Sequence, residues 1–402
     1  MRVMQINATY GYGSTGLITE DIGNMLAYSG NEAYFAYQTS SRKIENGYVI
    51  GNRFDWKAHA ILCRLLGKQG YYSFSATKQF LKYLDKIKPD VVHLHNLHSN
   101  YIHLNLLLSY LAKNDIATVI TLHDCWFFTG KCFHYVDVGC DRFIQGCGEC
   151  PKKKAPPASL LFDPSAGVLQ DRYHYLSAIP RLKMVGCSQW IANEAKKGIL
   201  QEFDISVLSN GVDTKVFKPY DRQALKTKHG LGSKYIIMGM ANKWLLPSNK
   251  EAFEKIVQML DADICLMLVG CTQEQMRFLE EFGERVIRVG FIGDRQALAR
   301  YYNMADVFVN LTHADTLPTV NMESICCGTP VITYDSCGSP ELIHDGCGLV
   351  VPENDVDSLL SAINLARKTD FSSCAQIGCS LFDKNICYES YLKVYHGVLN
   401  KS

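Results

Sequence analysis

The chain has 402 residues, 47% hydrophobic and 20% charged, which excludes a disordered protein and suits two domains better than one core. A net charge of +1 provides no general attraction to nucleic acid, and no apolar run approaches the length of a membrane span. The opening MRVMQIN reads as a strand, so no signal peptide is expected, and sixteen cysteines in apolar and loop settings suit a reducing cytoplasm.

Residues 3–6 form the first predicted strand, followed by Tyr10-Gly11-Tyr12-Gly13-Ser14-Thr15-Gly16 and a helix from near Leu17. That loop contains the G-x-G-x-x-G spacing of dinucleotide-binding turns. The second predicted strand, residues 33–37, ends in Gln38-Thr39-Ser40, without the carboxylate that a nicotinamide dinucleotide's ribose requires. Gly13 and Gly16 then either let backbone approach a phosphate or make a plain tight turn. Residues 55–69 carry an apolar stripe interleaved with Lys57, Arg64 and Lys68. The stripe suits packing on its own domain, with a membrane surface as the other reading.

A helix over residues 76–88 leads to a strand at 91–94, then to His95 and His98 in a loop. A helix at 104–111 and a strand at 118–122 follow, ending in His123-Asp124. His123 stands where parallel α/β folds place chemistry, at a strand's C-terminal end. His93 alternates within its strand and reads as structural, while His95 and His98 can line a binding surface or serve structure. Cys132, Cys140, Cys147 and Cys150 are spaced C-x7-C-x6-C-x2-C. Four thiolates can close a structural zinc site, the alternatives being disulfides or unbridged thiols. Lys152, Lys153 and Lys154 read as a solvated loop face.

A strand at 184–187, Ser188-Gln189 before a helix, and Ser209-Asn210-Gly211-Val212-Asp213 bring the chain to a second α/β half. Its first strand, residues 235–240, is followed by Lys243 and Lys250, and further strands lie at 265–269 and 286–289. Asp261-x-Asp263 precedes a strand and reads as a loop, not as a metal-binding pair. The apolar run at 307–311, helical spacing at 318–327 and a run at 330–334 make a βαβ unit. Asp315 and Glu323, with seven residues between them, lie in its loop and on its helix, so both can reach one bound molecule. Gly338-Ser339-Pro340-Glu341 reads as the start of another helix, with N–H groups to offer an anion.

The acid-x7-Glu spacing is followed by Cys327-Gly328-Thr329-Pro330, Gly338-Ser339-Pro340-Glu341-Leu342-Ile343 and Asp345-Gly346-Cys347-Gly348-Leu349-Val350-Val351-Pro352. Together these motifs resemble the donor-binding core of the retaining, nucleotide-sugar-dependent glycosyltransferases of family 4. The resemblance implies the GT-B fold, α/β, two Rossmann-like domains facing across a cleft. Residues 1–205 become an acceptor-side domain with a cysteine-rich insertion at 125–151. Residues 206–380 become the nucleotide-sugar domain, and 381–402 a helix returning to the first. The segments HDCWFFTGKC and CGECP resemble a surface-polysaccharide branch of the same family.

By resemblance, Asp315 contacts the donor sugar, although the family usually has glutamate there, and Glu323 bonds the ribose hydroxyls. Thr316, Leu317 and Thr319 present N–H groups near the phosphates, and Glu341 caps its helix or touches the sugar. Lys250 takes the place of a diphosphate-binding lysine. Lys243 stands in for an arginine this chain lacks, an exchange that sacrifices the bidentate fork. Gly13 and Gly16 approach the donor phosphate, and His123 faces the transferred sugar and the acceptor. The resemblance implies a UDP- or GDP-linked sugar as donor and a glycan or lipid-linked glycan as acceptor. It also implies no cofactor for catalysis, no nucleic acid, and a place in the cytoplasm or at the inner face of the plasma membrane. It makes the four cysteines a branch feature without identifying a metal, so structural zinc stays a reading of their spacing alone. A silent glycan-binding protein, an NAD-dependent oxidoreductase and a sugar-nucleotide epimerase are the competing readings.

Overall fold

The computed structural model describes residues 1–401, which form two compact units. The first comprises Met1–Ser209 together with the chain from Tyr388 onward. In order it contains β1 (Arg2–Tyr10), α1 (Ser14–Tyr28), β2 (Glu32–Ser40), β3 (Gly47–Val49), α2 (Arg53–Leu66), α3 (Phe74–Ile87), β4 (Val91–Leu94), α4 (Leu104–Lys113), β5 (Ala117–Leu122), α5 (Ser165–Ser177), β6 (Leu182–Gly186), α6 (Gln189–Lys196) and β7 (Ile205–Val207). The strands form one parallel sheet in the order β3-β2-β1-β4-β5-β6-β7. Helices cover such a sheet on both faces, which is why β4 and β5 are buried along their whole length.

The second unit spans Asn210–Cys387. It runs through α7 (Arg222–Lys228), β8 (Tyr235–Met240), α8 (Ala241–Trp244), α9 (Lys250–Met259), β9 (Ile264–Cys271), α10 (Gln273–Phe278), β10 (Val286–Gly290), α11 (Arg295–Met304), β11 (Val307–Asn310), α12 (Thr319–Cys326), β12 (Val331–Tyr334), β13 (Gly348–Val351), α13 (Val356–Ala366) and α14 (Cys374–Phe382). A last helix, α15 (Lys384–Leu399), begins in this unit and belongs to the first from Tyr388 on. The six strands are parallel in the order β10-β9-β8-β11-β12-β13. The core lies under α9 and α13, where Phe253, Ile256, Leu359 and Ile363 meet Leu266, Val309 and Ile332.

In each sheet the strand order reverses once, between β1 and β4 and between β8 and β11. Loops at the C-terminal ends of strands on either side of such a reversal spread apart and leave a crevice, the place where this architecture binds ligands. The loops after β1, β4 and β5 therefore converge in the first unit, and those after β8, β11 and β12 in the second.

Three expectations are corrected. A border at 205/206 would cut β7, whose Ile205 pairs with Met184, so the first unit extends to Ser209. Residues 381–387 belong to the second unit, where Val212 N–H donates to Phe382 O at 2.8 Å and Lys384 N–H to Val212 O at 3.0 Å. Helix α2 does not pack by its apolar stripe: it buries only His59 and Cys63 and leaves Phe54, Ile61, Leu62 and Leu65 exposed.

Candidate functional site

In the second unit the loop after β11 carries Thr312, Asp315, Thr316 and Leu317. Asp315 accepts the Leu317 N–H at 3.2 Å, and its carbonyl accepts the Gly338 N–H at 3.2 Å, which ties this loop to the one after β12. The Leu317 N–H is thus occupied by a neighbouring carboxylate, so its expected role toward phosphate passes to others. Thr316 Oγ1, Thr312 Oγ1 and Ser339 Oγ are all buried without a hydrogen-bond partner, as is the Nδ2 of Asn321 on α12. Unpaired buried polar atoms are costly and rare, and four of them on the β11 and β12 loops and α12 mark a polar binding surface.

Glu323 lies on α12, opposite Tyr302 of α11, whose hydroxyl donates to Oε2 at 3.2 Å. Burial lifts its carboxyl to about 7, against the opposing pull of the Arg295 guanidinium and the Tyr302 hydrogen bond. Such a carboxyl is poised to release its proton when hydroxyl donors arrive. Glu341 sits at the exposed edge, and the helix expected there is a single 3-10 turn, Pro340–Leu342. Pro340 and the short loop to β13 leave no room for longer helical pairing, so a macrodipole contribution from this turn is small. Thr319 opens α12.

The loop after β8 shows how the chain manages without the arginine. The indole of Trp244 folds back under the strand end, donating to Val309 O at 2.8 Å, and is completely buried. It occupies the space a side chain on Gly239 would need: a Cβ there would lie 1.9 Å from Trp244 Nε1. Gly239→Ala therefore expels the indole and costs about 3 kcal/mol, the upper part of the range for overpacking. A fall in the denaturation midpoint without a change in slope would show this; an unaltered midpoint would contradict it. Lys243 is half-buried on α8, and Asn249 clamps the loop by donating to Lys243 O at 2.9 Å and Leu311 O at 2.8 Å. His313, held between Asn249 and Glu353, extends the clamp to the loop after β11. Lys250 opens α9, 75% exposed, with Glu254 3.6 Å away, and lines a cavity of about 680 Å³ with Trp244, Phe253 and Phe278. The structure thus joins Asp315, Thr316 and Leu317 in one loop knitted to Gly338, and leaves Lys250 and Glu341 at exposed margins.

Asp261 is a turn residue, accepting N–H groups of Asp263 and Ile264, which agrees with its reading as a loop. A separate cavity of about 470 Å³, bordered by Arg222, Tyr235 and Asp306, lies at the opposite, N-terminal edge of the sheet.

In the first unit the strand ends present a histidine relay. The Gln5 amide donates to Thr19 O at 3.1 Å, which turns its Oε1 toward His95 Nε2 at 3.1 Å. An amide oxygen only accepts, so His95 carries its proton on Nε2 and accepts at Nδ1 from His123 Nε2, 2.9 Å away. His123 therefore keeps a lone pair on Nδ1. Burial depresses both rings, His123 to about 4, so the relay is neutral at physiological pH. His98 instead bonds Asp124 at 3.0 Å. His93 is structural, as expected, between Thr121 and Tyr395 of α15 at 2.8 Å each. Gly13 takes φ 66° at the cap of α1, and Gly16 faces Thr9 so closely that a Cβ would come within 2.8 Å of its Oγ1. Gly16 is therefore explained by close packing of α1 on β1, and Gly13 by its backbone conformation.

The four clustered cysteines line one small cavity, yet the expected tetrahedral set is not assembled. Among the described residues no group of three or more His, Cys, Asp or Glu side chains is placed to hold a metal. Cys132 and Cys150 hydrogen-bond each other, while Cys147 accepts the Gly130 N–H at 3.3 Å. None of the sixteen cysteines is bridged. Lys152 is not solvated but paired with Asp137 at 2.7 Å, and the buried Lys131 ammonium donates to three carbonyls, of Lys152, Lys153 and Ala155.

Sequence reasoning missed Gln5, Thr312, Asn321 and Arg295. Gln5 had a signal, since a polar residue in a strand of an otherwise apolar, fully covered sheet needs a buried partner. The others required knowledge of which loops meet.

Comparison with known proteins agrees with this architecture. The family described as Glycosyltransferase Family 4 matches residues 18–216, and that described as Glycosyl transferases group 1 matches residues 240–366. The chain is 23% identical over 429 residues to WcaC of Escherichia coli (strain K12), named as a colanic acid biosynthesis glycosyl transferase, covering 99% of this chain and 100% of the relative. Sucrose-phosphate synthase from Thermosynechococcus elongatus shares the fold with a TM-score of 0.69 at 16% identity, covering 100% of both chains. HepE of Anabaena, solved in complex with UDP-glucose, shares it with a TM-score of 0.63 at 14% identity over 99% of this chain and 100% of its own. Matched in order over most of its length, and built on two doubly wound parallel sheets, the chain belongs to glycosyltransferase family 4 and is a glycosyltransferase of GT-B fold.

Proposed function

We propose that the protein transfers a sugar from a nucleoside diphosphate to a glycan or lipid-linked glycan during surface polysaccharide synthesis, with retention of anomeric configuration. The observation that carries this reading is the group of unpartnered buried polar atoms on the loops after β11 and β12 and on α12, the helix that also carries Glu323. Hydroxyls on the loops after β11 and β12 and an amide on α12 suit a diphosphate and sugar, and Glu323 suits a ribose diol. The complex of HepE with UDP-glucose and the name of WcaC support the donor class and the pathway.

In this reading Glu323 accepts both ribose hydroxyls, and Asp315 orients the sugar. Thr316 and Ser339 hydroxyls and the Thr319 N–H receive phosphate oxygens, with Lys243 and Lys250 supplying positive charge. The departing phosphate takes the acceptor hydroxyl's proton on the face it leaves, so the new bond forms where the old one broke. In the first unit, His123 offers a neutral acceptor nitrogen at the strand ends. A thermal-shift screen of UDP-, GDP- and ADP-sugars tests the donor: the true donor raises Tm by several degrees at saturating concentration, corresponding to roughly 3 kcal/mol at 100-fold excess over Kd. No shift with any nucleotide sugar would overturn it. A chiral analysis of the product's anomeric bond decides retention.

A further inference from the structure

We propose that α2 and the loop following the cysteine-rich insertion form a docking surface for an anionic membrane, where a lipid-linked acceptor is met; only the acceptor's identity rests on the reading above. Phe54, Ile61 and Leu65 recur at helical spacing on one side of α2, and are 84%, 60% and 38% exposed. The opposite side holds the helix to its domain through His59, buried against Ser73 Oγ at 2.6 Å and the Gly70 N–H at 3.2 Å, and through buried Cys63. The helix thus turns its apolar stripe away from its own core, the reverse of what a domain helix does with such a stripe.

A second segment enlarges the patch. Leu160 and Leu161 donate their N–H groups to Arg64 O at 2.8 Å and Leu65 O at 3.1 Å, which lays Leu160-Leu161-Phe162 along the end of α2. These three are 51%, 59% and 59% exposed. Contiguous exposed apolar side chains of this size are uncommon on a free surface and mark a docking site.

Charge identifies the occupant. Lys57, Arg64 and Lys68 flank the stripe and are exposed, and Lys153 reaches Leu161 O at 3.2 Å. The neighbouring acids are withdrawn: Asp55 is held in the capping box with Asn52, and Asp163 accepts the N–H groups of Cys150 and Ser165. A second copy on this face would bring the same cations together across a twofold axis, which like charge opposes. An anionic bilayer accepts both parts, the aliphatic and aromatic tips entering the headgroup boundary and the cations meeting lipid phosphates. Among the described residues no helix is long and apolar enough to cross a membrane, so attachment of this kind is at the surface.

The test is co-sedimentation of the full chain with vesicles of phosphatidylglycerol and phosphatidylcholine, or of phosphatidylcholine alone, without sugar nucleotide. Binding to the anionic vesicles that weakens with salt is expected, and Ile61→Asp with Leu161→Asp reduces it about tenfold or more. Lys57→Ala with Arg64→Ala reduces it several-fold, each cation contributing about 1 kcal/mol at the surface. Both variants keep the parent's Tm and circular dichroism, because the replaced side chains are exposed. Equal binding by parent and variants, or no binding to anionic vesicles, overturns the proposal. A concentration-dependent dimer abolished by Ile61→Asp also overturns it, assigning the face to a second copy. Because donor is absent, failure of the transferase reading leaves this outcome readable, and transfer by a protein that ignores vesicles sinks only this inference.

Discussion

Glu323→Ala lowers kcat/KM for the sugar donor by roughly 100- to 10,000-fold, the equivalent of two charge-assisted hydrogen bonds at about 1.5–3 kcal/mol each. Ribose is gripped equally in the ground and transition states, so the loss falls mainly on donor KM rather than kcat. A pH dependence accompanies it. Burial raises this carboxyl from its ordinary value to about 7, so the folded protein holds the proton more tightly than the unfolded chain. The stability this contributes is complete below the unfolded value, about 4.5, and is lost as pH rises through about 7. Without donor, Glu323→Gln should therefore be more stable than the parent at pH 8, by up to about 3 kcal/mol, and equal to it at pH 4. Donor binding selects the ionised form, so donor KM falls as pH rises through about 7 in the parent and is flat in Glu323→Gln. Unchanged KM in the alanine variant, with no difference in the pH profiles, would remove Glu323 from the donor site.

Gln5→Leu reduces kcat about tenfold while leaving donor KM within about twofold, since the residue acts on His123 through His95. The amide oxygen of Gln5 is what compels His95 to accept from His123, and hence leaves the His123 lone pair on Nδ1. Leucine there strands the His95 Nε2–H in a buried setting, at a cost of about 1–3 kcal/mol in stability. His95 is then free to exchange tautomers and reverse the hydrogen bond. The discriminating measurement is a double-mutant cycle: Gln5→Leu should have little further effect on kcat once His123 is alanine. Additive losses would mean that Gln5 supports the fold alone and the relay does not govern His123.

Helix α2 shows why pattern and environment must be separated. Its stripe was visible over residues 55–69, and periodicity correctly yields a helix. Periodicity states which residues share a face, but not whether that face meets a core or solvent. His59, which finds Ser73 and Gly70 on the other side, and the buried Cys63 decide the matter here. Glu341 makes the same point in reverse: a glycine-proline turn before an acid suggested a helix start, and the loop to β13 allowed only one 3-10 turn.

From the residues alone came the parallel α/β class, the two halves, and the position of Asp315, Glu323 and His123 at strand ends or on the following helix. These follow from short-range physics: apolar runs of strand length, helical spacing, and glycines or prolines that end an element. Tertiary structure alone decided that Trp244 fills the space above Gly239, that Asp315 occupies the Leu317 N–H, and that the four cysteines fall short of a ligand set. It also decided that Glu323 is buried enough to titrate near neutrality, and that Gln5 dictates the protonation of a histidine far along the chain. Each of these depends on atoms brought together by packing from separate elements, and their distances, burial and local dielectric do not exist until the sheets have formed.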